Sequence, residues 1–102
     1  MNRVLEEKRT ELTALCRRHR VGRLAVFGSA LGETFNPERS DIDFIVEFEP
    51  MPAREHARAY FGLLGALENL LGAPVDLVEA DTIANPYVRR EILETQQALY
   101  GA

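Results

Sequence analysis

The sequence has a single cysteine, Cys16, among 102 residues. No internal disulfide can form, so the fold must rest on burial, as suits a reducing compartment. No apolar run approaches the roughly 20 residues that a bilayer-spanning helix needs, which argues against a membrane protein. The opening stretch MNRVLEEKRTEL is charged throughout and lacks the apolar segment of a secretory leader, so a cytoplasmic protein is expected. Basic charge is also scarce: 12 Lys and Arg against 16 Asp and Glu give a formal net charge of −4. A general nucleic-acid binder would carry a basic face, and that class is disfavoured. What basic clustering exists, Arg17, Arg18 and Arg20 and then Arg89 and Arg90, could still serve a local phosphate site. Repeats, low-complexity tracts and linkers are lacking too, and the length suits one domain over residues 1–102.

The hydrophobic patterning predicts the order α-β-loop-β-α-β-α. Leu5, Leu12, Leu15 and Cys16 fall on one side of a helix from about Val4 to His19, with Gly22 as its stop. Arg23 to Phe27 reads as a short strand ending at Gly28-Ser29, and Ala30 to Ser40 as a helical turn plus loop. Asp41 to Phe48, rich in Ile, Val and Phe, is the strongest strand. A helix follows from about Ala53 to Leu71, with a buried stripe of Tyr60, Phe61, Leu64, Leu67 and Leu71 and a stop at Gly72. Pro74 to Ala80 is a third strand. Asn85 caps a last helix with Pro86 in its first turn, carrying Val88, Ile92, Leu93 and Leu99 to near Gly101. Tyr87 and Tyr100 exceed one buried stripe, and so mark that helix as a partner-binding surface.

The acids carry the chemistry. Asp41 and Asp43 are two apart on a strand, so they face the same way with Cα atoms about 6.5 Å apart. Two carboxylates so placed can share a cation; without one they repel, and one pKa rises. Mg²⁺ suits a few carboxylate oxygens together with waters and substrate phosphates. Ile42, Phe44 and Val46 would face the opposite way, into a core, while Ile45 makes the acidic face apolar one step further in. The plainer alternative is that Asp41 caps a turn and Asp43 is an exposed strand residue. Gly28-Ser29 offers backbone N–H groups and a hydroxyl to phosphate oxygens, or is a simple strand-ending turn. Asp76 lies among Val75, Leu77 and Val78. It is either an outward-facing acid on an edge strand or the third carboxylate of a site, since a buried acid needs a partner.

Taken together, VFGSALGETFNPERSDIDFIVEF, then PVDLVEA and NPYVRREILETQQALYG, resemble the minimal nucleotidyltransferase (MNT) proteins, small relatives of DNA polymerase beta. The likeness runs through nearly the whole chain from Arg23 onward. It implies an α/β (α+β) nucleotidyltransferase fold, a small mixed sheet of about three to four strands flanked by helices. In such a site Gly28 and Ser29 hold the triphosphate of ATP or another nucleoside triphosphate. Asp41, Asp43 and Asp76 bind Mg²⁺, and Asp76 stands nearest the acceptor. The reaction implied is transfer of a nucleoside monophosphate to a hydroxyl, with loss of pyrophosphate. One departure stands out: many members place Arg-Gly where this chain has Gly32-Glu33. Either triphosphate binding is weaker or Arg39 replaces the missing cation.

Small MNT proteins resemble antitoxins paired with a helical HEPN-family ribonuclease toxin, some of which adenylylate a tyrosine of that toxin. The resemblance therefore implies a protein partner as acceptor. A non-catalytic antitoxin that acts by occlusion is the alternative, and a bare structural or small-ligand domain ranks last. Cys16, Tyr60 and Phe61 read as core, and His19 and His56 as surface or helix-end residues without metal-ligand companions.

Overall fold

A computed structural model describes residues 3–28 and 42–101. Its elements are helices α1 (Arg3–Glu7) and α2 (Arg9–Arg18), strands β1 (Val21–Phe27) and β2 (Ile42–Phe48), helix α3 (Ala53–Leu71), strand β3 (Val75–Glu79), a 3₁₀ turn (Ala80–Thr82), helix α4 (Pro86–Thr95) and strand β4 (Gln97–Tyr100). The four strands form one sheet in the order β3-β2-β1-β4. β1 runs antiparallel to both neighbours, and β2 is parallel to β3. A parallel pair needs a crossover, which α3 supplies. The mixed sheet with flanking helices agrees with the expected fold class.

Alternation along β2 sorts its two faces as the sequence predicts. Ile42, Phe44 and Val46 are buried on the helical side, where Leu5, Leu12 and Cys16 from α1 and α2 meet Leu63, Leu67 and Leu71 from α3. Burial pushes the Cys16 thiol up to about 12, so this cysteine behaves as a packing residue. On the other face Ile45 joins Ala25 and Ala80, with Phe27, Ile83 and Ile92 packed around them. Phe44 is fully buried at the centre of the larger core. Phe44→Ala is expected to cost about 3–5 kcal/mol, read as a lowered denaturant midpoint at unchanged slope.

Four sequence expectations need correction. The first helix divides at Lys8 into α1 and α2, although neither Gly nor Pro marks the break. Gly22 is not its stop. Helix α2 ends at Arg18 and the chain reverses through Arg20, whose φ of +58° is left-handed, while Gly22 lies inside β1 at a register shift. The buried stripe of α3 is Leu63, Leu67 and Leu71, and Phe61 is 67% exposed. Finally, the last helix stops at Thr95, and Gln97–Tyr100 form β4. Without β4, the outer edge of β1 would present unpaired backbone groups. Pairing there buries Leu99 in the main core and packs Tyr100 against it. Tyr100 therefore belongs to the sheet, while Tyr87 on α4 is 82% exposed.

The start of α4 is as expected: Oδ1 of Asn85 accepts from the backbone N–H of Tyr87 at 2.9 Å and of Val88 at 3.3 Å, with Pro86 following the cap. On the edge strand, Arg9 Nη2 donates to the Ala98 carbonyl at 3.0 Å. Among the described residues, no helix is long and apolar enough to cross a membrane.

Candidate active site

The topology gathers the candidate residues at one end of the sheet. β1 finishes at Phe27, which pairs with Asp43 near the start of antiparallel β2. β3 runs parallel to β2 in a register that sets Asp43 opposite Asp76. Adjacent strands lie about 4.8 Å apart, and paired positions share a face. The two carboxylates are therefore cross-strand neighbours on the face opposite the helical core, with Asp43 half-buried and Asp76 exposed. Two like charges in register on neighbouring strands repel, and a cation between or beside them relieves that repulsion.

Gly28 closes the third side. Its φ is +71°, and a Cβ placed there would come 2.6 Å from Oδ2 of Asp43. The Asp43 carboxylate thus lies against bare backbone, in space that any side chain at position 28 would take. The left-handed φ favours glycine here, and any Cβ would have to displace the Asp43 carboxylate. The donor set fits Mg²⁺, a hard cation that takes oxygen ligands.

Ser29, Arg39 and Asp41 lie outside the described residues. Among the described residues no group of three or more His, Cys, Asp and Glu side chains comes together as a metal cluster. The site brought together by the described chain is Gly28, Asp43 and Asp76.

Sequence reasoning missed the far end of β3. Tyr60, on α3, donates its hydroxyl to the Leu77 carbonyl at 2.6 Å. Burial raises its pKa first, and the charges of Glu79 and Asp76 raise it further. His56 and Glu79 pair through Nε2 and Oε1, and the imidazole packs on Phe48 with ring centroids 5.2 Å apart. His56, expected at the surface or a helix end, does lie in the first turn of α3, where it is a partly buried strut to β3. Twenty-three residues separate the partners, and no local pattern in the chain links them.

Comparison with known proteins gives one consistent result. The family described as "Nucleotidyltransferase domain" matches residues 9–99. A Methanocaldococcus jannaschii protein with the provisional name protein adenylyltransferase MJ1379 is 41% identical over 78 residues, 76% of this chain and 75% of its own length. A solved structure described provisionally as a minimal nucleotidyltransferase is 37% identical, with a TM-score of 0.69 over 91% of this chain and 90% of that one. A third, the complex of a tri-AMPylated Shewanella oneidensis HEPN toxin with its MNT antitoxin, shares the fold. Its TM-score is 0.64 at 21% identity, covering 96% of this chain and 73% of that one.

Proposed function

The chain belongs to the nucleotidyltransferase domain family, and from that premise we propose that it transfers AMP from ATP, with Mg²⁺, to a hydroxyl of a partner protein. That it is a nucleotidyltransferase enzyme follows from the family; the donor, the metal and the acceptor are the proposal. The observation that carries it is the register of Asp43 with Asp76 beside the bare backbone of Gly28.

Each candidate residue has a part. Gly28, without a side chain, would let the phosphate chain approach the backbone at the end of β1. Asp43 and Asp76 would hold Mg²⁺; by the family resemblance Asp41 would be the third acid, and Ser29 and Arg39 would bind the triphosphate. When bound, the metal supplies charge neutralisation at the attacking and leaving oxygens. Asp76, exposed where Asp43 is half-buried, orients the incoming hydroxyl and takes its proton. The acceptor oxygen bonds to the α-phosphorus, the bond from that phosphorus to the bridging oxygen breaks, and pyrophosphate leaves.

The acceptor is a protein, and the role is that of an antitoxin to a HEPN-type toxin. Three observations support this. The relative at 41% identity is named for protein adenylylation, the fold is shared with an antitoxin bound to an AMPylated toxin, and the net charge of −4 suits a protein acceptor better than RNA. Gly32-Glu33 in place of the family's Arg-Gly favours a second reading, neutralisation of the partner by occlusion alone. Incubation of the chain with a co-purified HEPN-type toxin and α-labelled ATP separates the two. Transfer predicts Mg²⁺-dependent label on the toxin, whereas occlusion predicts a tight, unlabelled complex.

A further inference from the structure

At the opposite end of β1 from Gly28, the turn between α2 and β1 meets the first half of α3. Arg18 at the end of α2, His19 and Arg20 from the turn, and Met51, Glu55, Arg58 and Ala59 from the α3 side line an open cavity of about 290 Å³. β1 has seven residues, so about 20 Å of strand separates this pocket from the Asp43 end. A nucleotide held at Gly28 would leave the pocket free.

The charges in it are unevenly matched. Arg20 shares its guanidinium between Glu49 and Glu55, each at 3.8 Å. Among the described residues neither Arg18 nor Arg58 has an ion pair. Three guanidiniums and an imidazole therefore face one carboxylate on the pocket rim, in a protein that is acidic as a whole. The half-buried ring of His19 packs beside α3: a Cβ at Gly62 would lie 3.1 Å from both Cε1 and Nδ1.

We propose that this pocket is a binding site for a phosphate group, distinct from the nucleotide cleft and independent of its metal. Guanidinium groups present paired N–H donors that match phosphate oxygens two at a time, and Arg18 and Arg58 have theirs to offer from two different elements. The His19 imidazole adds a further donor to the lining. Without an anion its proton is disfavoured, by burial first and by the Arg18 charge second. An anion seated between the arginines reverses the second cause. The charges that bear on the ring are Arg18 at the end of α2, Arg20 with its partners Glu49 and Glu55, and Arg58 from α3. The phosphate could be free or carried on a nucleic-acid chain; both offer the same oxygens.

The test is an NMR titration of the His19 Cε1–H signal in the full chain, with EDTA present and ionic strength held constant with chloride. The probes are inorganic phosphate and a short single-stranded RNA. Phosphate should bind saturably and raise the His19 pKa. Arg18→Gln with Arg58→Gln should weaken it by about tenfold or more, and Arg58→Lys, which keeps charge without the fork, by less. Asp43→Asn should leave phosphate binding unchanged, and the arginine variants should leave nucleotidyl transfer unchanged. RNA binding tighter than phosphate and equally sensitive to the arginines identifies a chain-borne group; weaker binding identifies a free one. A response that chloride reproduces, or that survives the double variant, overturns the proposal. So does a response that disappears in Asp43→Asn.

Discussion

Asp43→Asn is expected to lower nucleotidyl transfer by about a thousandfold, equivalent to roughly 4 kcal/mol of transition-state stabilisation. The loss should fall on kcat more than on KM, because the carboxylate acts on charge that develops during transfer. Asp43 faces Asp76 across the parallel pair, and neutralising one of two adjacent carboxylates removes a repulsion. Loss of activity with a retained or raised melting temperature separates a functional carboxylate from a structural one. An initial-rate assay with labelled nucleotide, beside a thermal melt without metal, reads both. A variant that keeps most of its activity would remove Asp43 from the mechanism.

Gly28→Ala should damage both stability and activity. Alanine is disfavoured at a φ of +71° by roughly 1–2 kcal/mol. Its Cβ would also stand 2.6 Å from Asp43 Oδ2, closer than real contacts allow. The carboxylate must move, and a shift of about 1 Å in a positioning group is worth about a hundredfold in rate. Gly65→Ala is the matched control. Position 65 lies within α3, where an added Cβ meets nothing within 4 Å, so alanine there should stabilise by up to about 1 kcal/mol through helix propensity and leave activity alone. Equal behaviour of the two alanine variants would show that the approach of Gly28 to Asp43 has no bearing on catalysis.

Where local chemistry and tertiary packing agree, the sequence is a good guide. The alternation of Ile42, Phe44 and Val46 against Asp43 and Ile45 predicts both faces of β2, and Asn85-Pro86 predicts the start of α4 to the residue. The failures come where a distant partner decides. Residues 96–100 continue a helical pattern in isolation, and only the open edge of β1 draws them into a strand. On α3 the stripe is displaced: Tyr60 and Leu64 lie at its margin, and Leu63, Leu67 and Leu71 face the sheet. The acids illustrate both cases. Their spacing and company along the chain single out Asp43 and Asp76, yet nothing local states that the two are paired residues on neighbouring strands. That register depends on how α3 returns the chain to β2. The Arg18–Arg58 pocket is likewise a product of the tertiary fold, since its arginines are forty residues apart.

The account stands most directly on whether metal and nucleotide meet at Asp43, and four melting curves decide it: wild type and Asp43→Asn, each with and without Mg²⁺-ATP at millimolar concentration. A ligand at a hundred times its dissociation constant stabilises the state that binds it by about 2.7 kcal/mol, which for about 100 residues is a rise of roughly 10–20 °C at 4–8 °C per kcal/mol. The account predicts such a rise for wild type and its loss, or near loss, in Asp43→Asn, whose ligand-free curve should lie level with wild type or above it. No rise in wild type would contradict the nucleotide site, and equal rises in both proteins would show that nucleotide binds without Asp43 as a ligand to its metal.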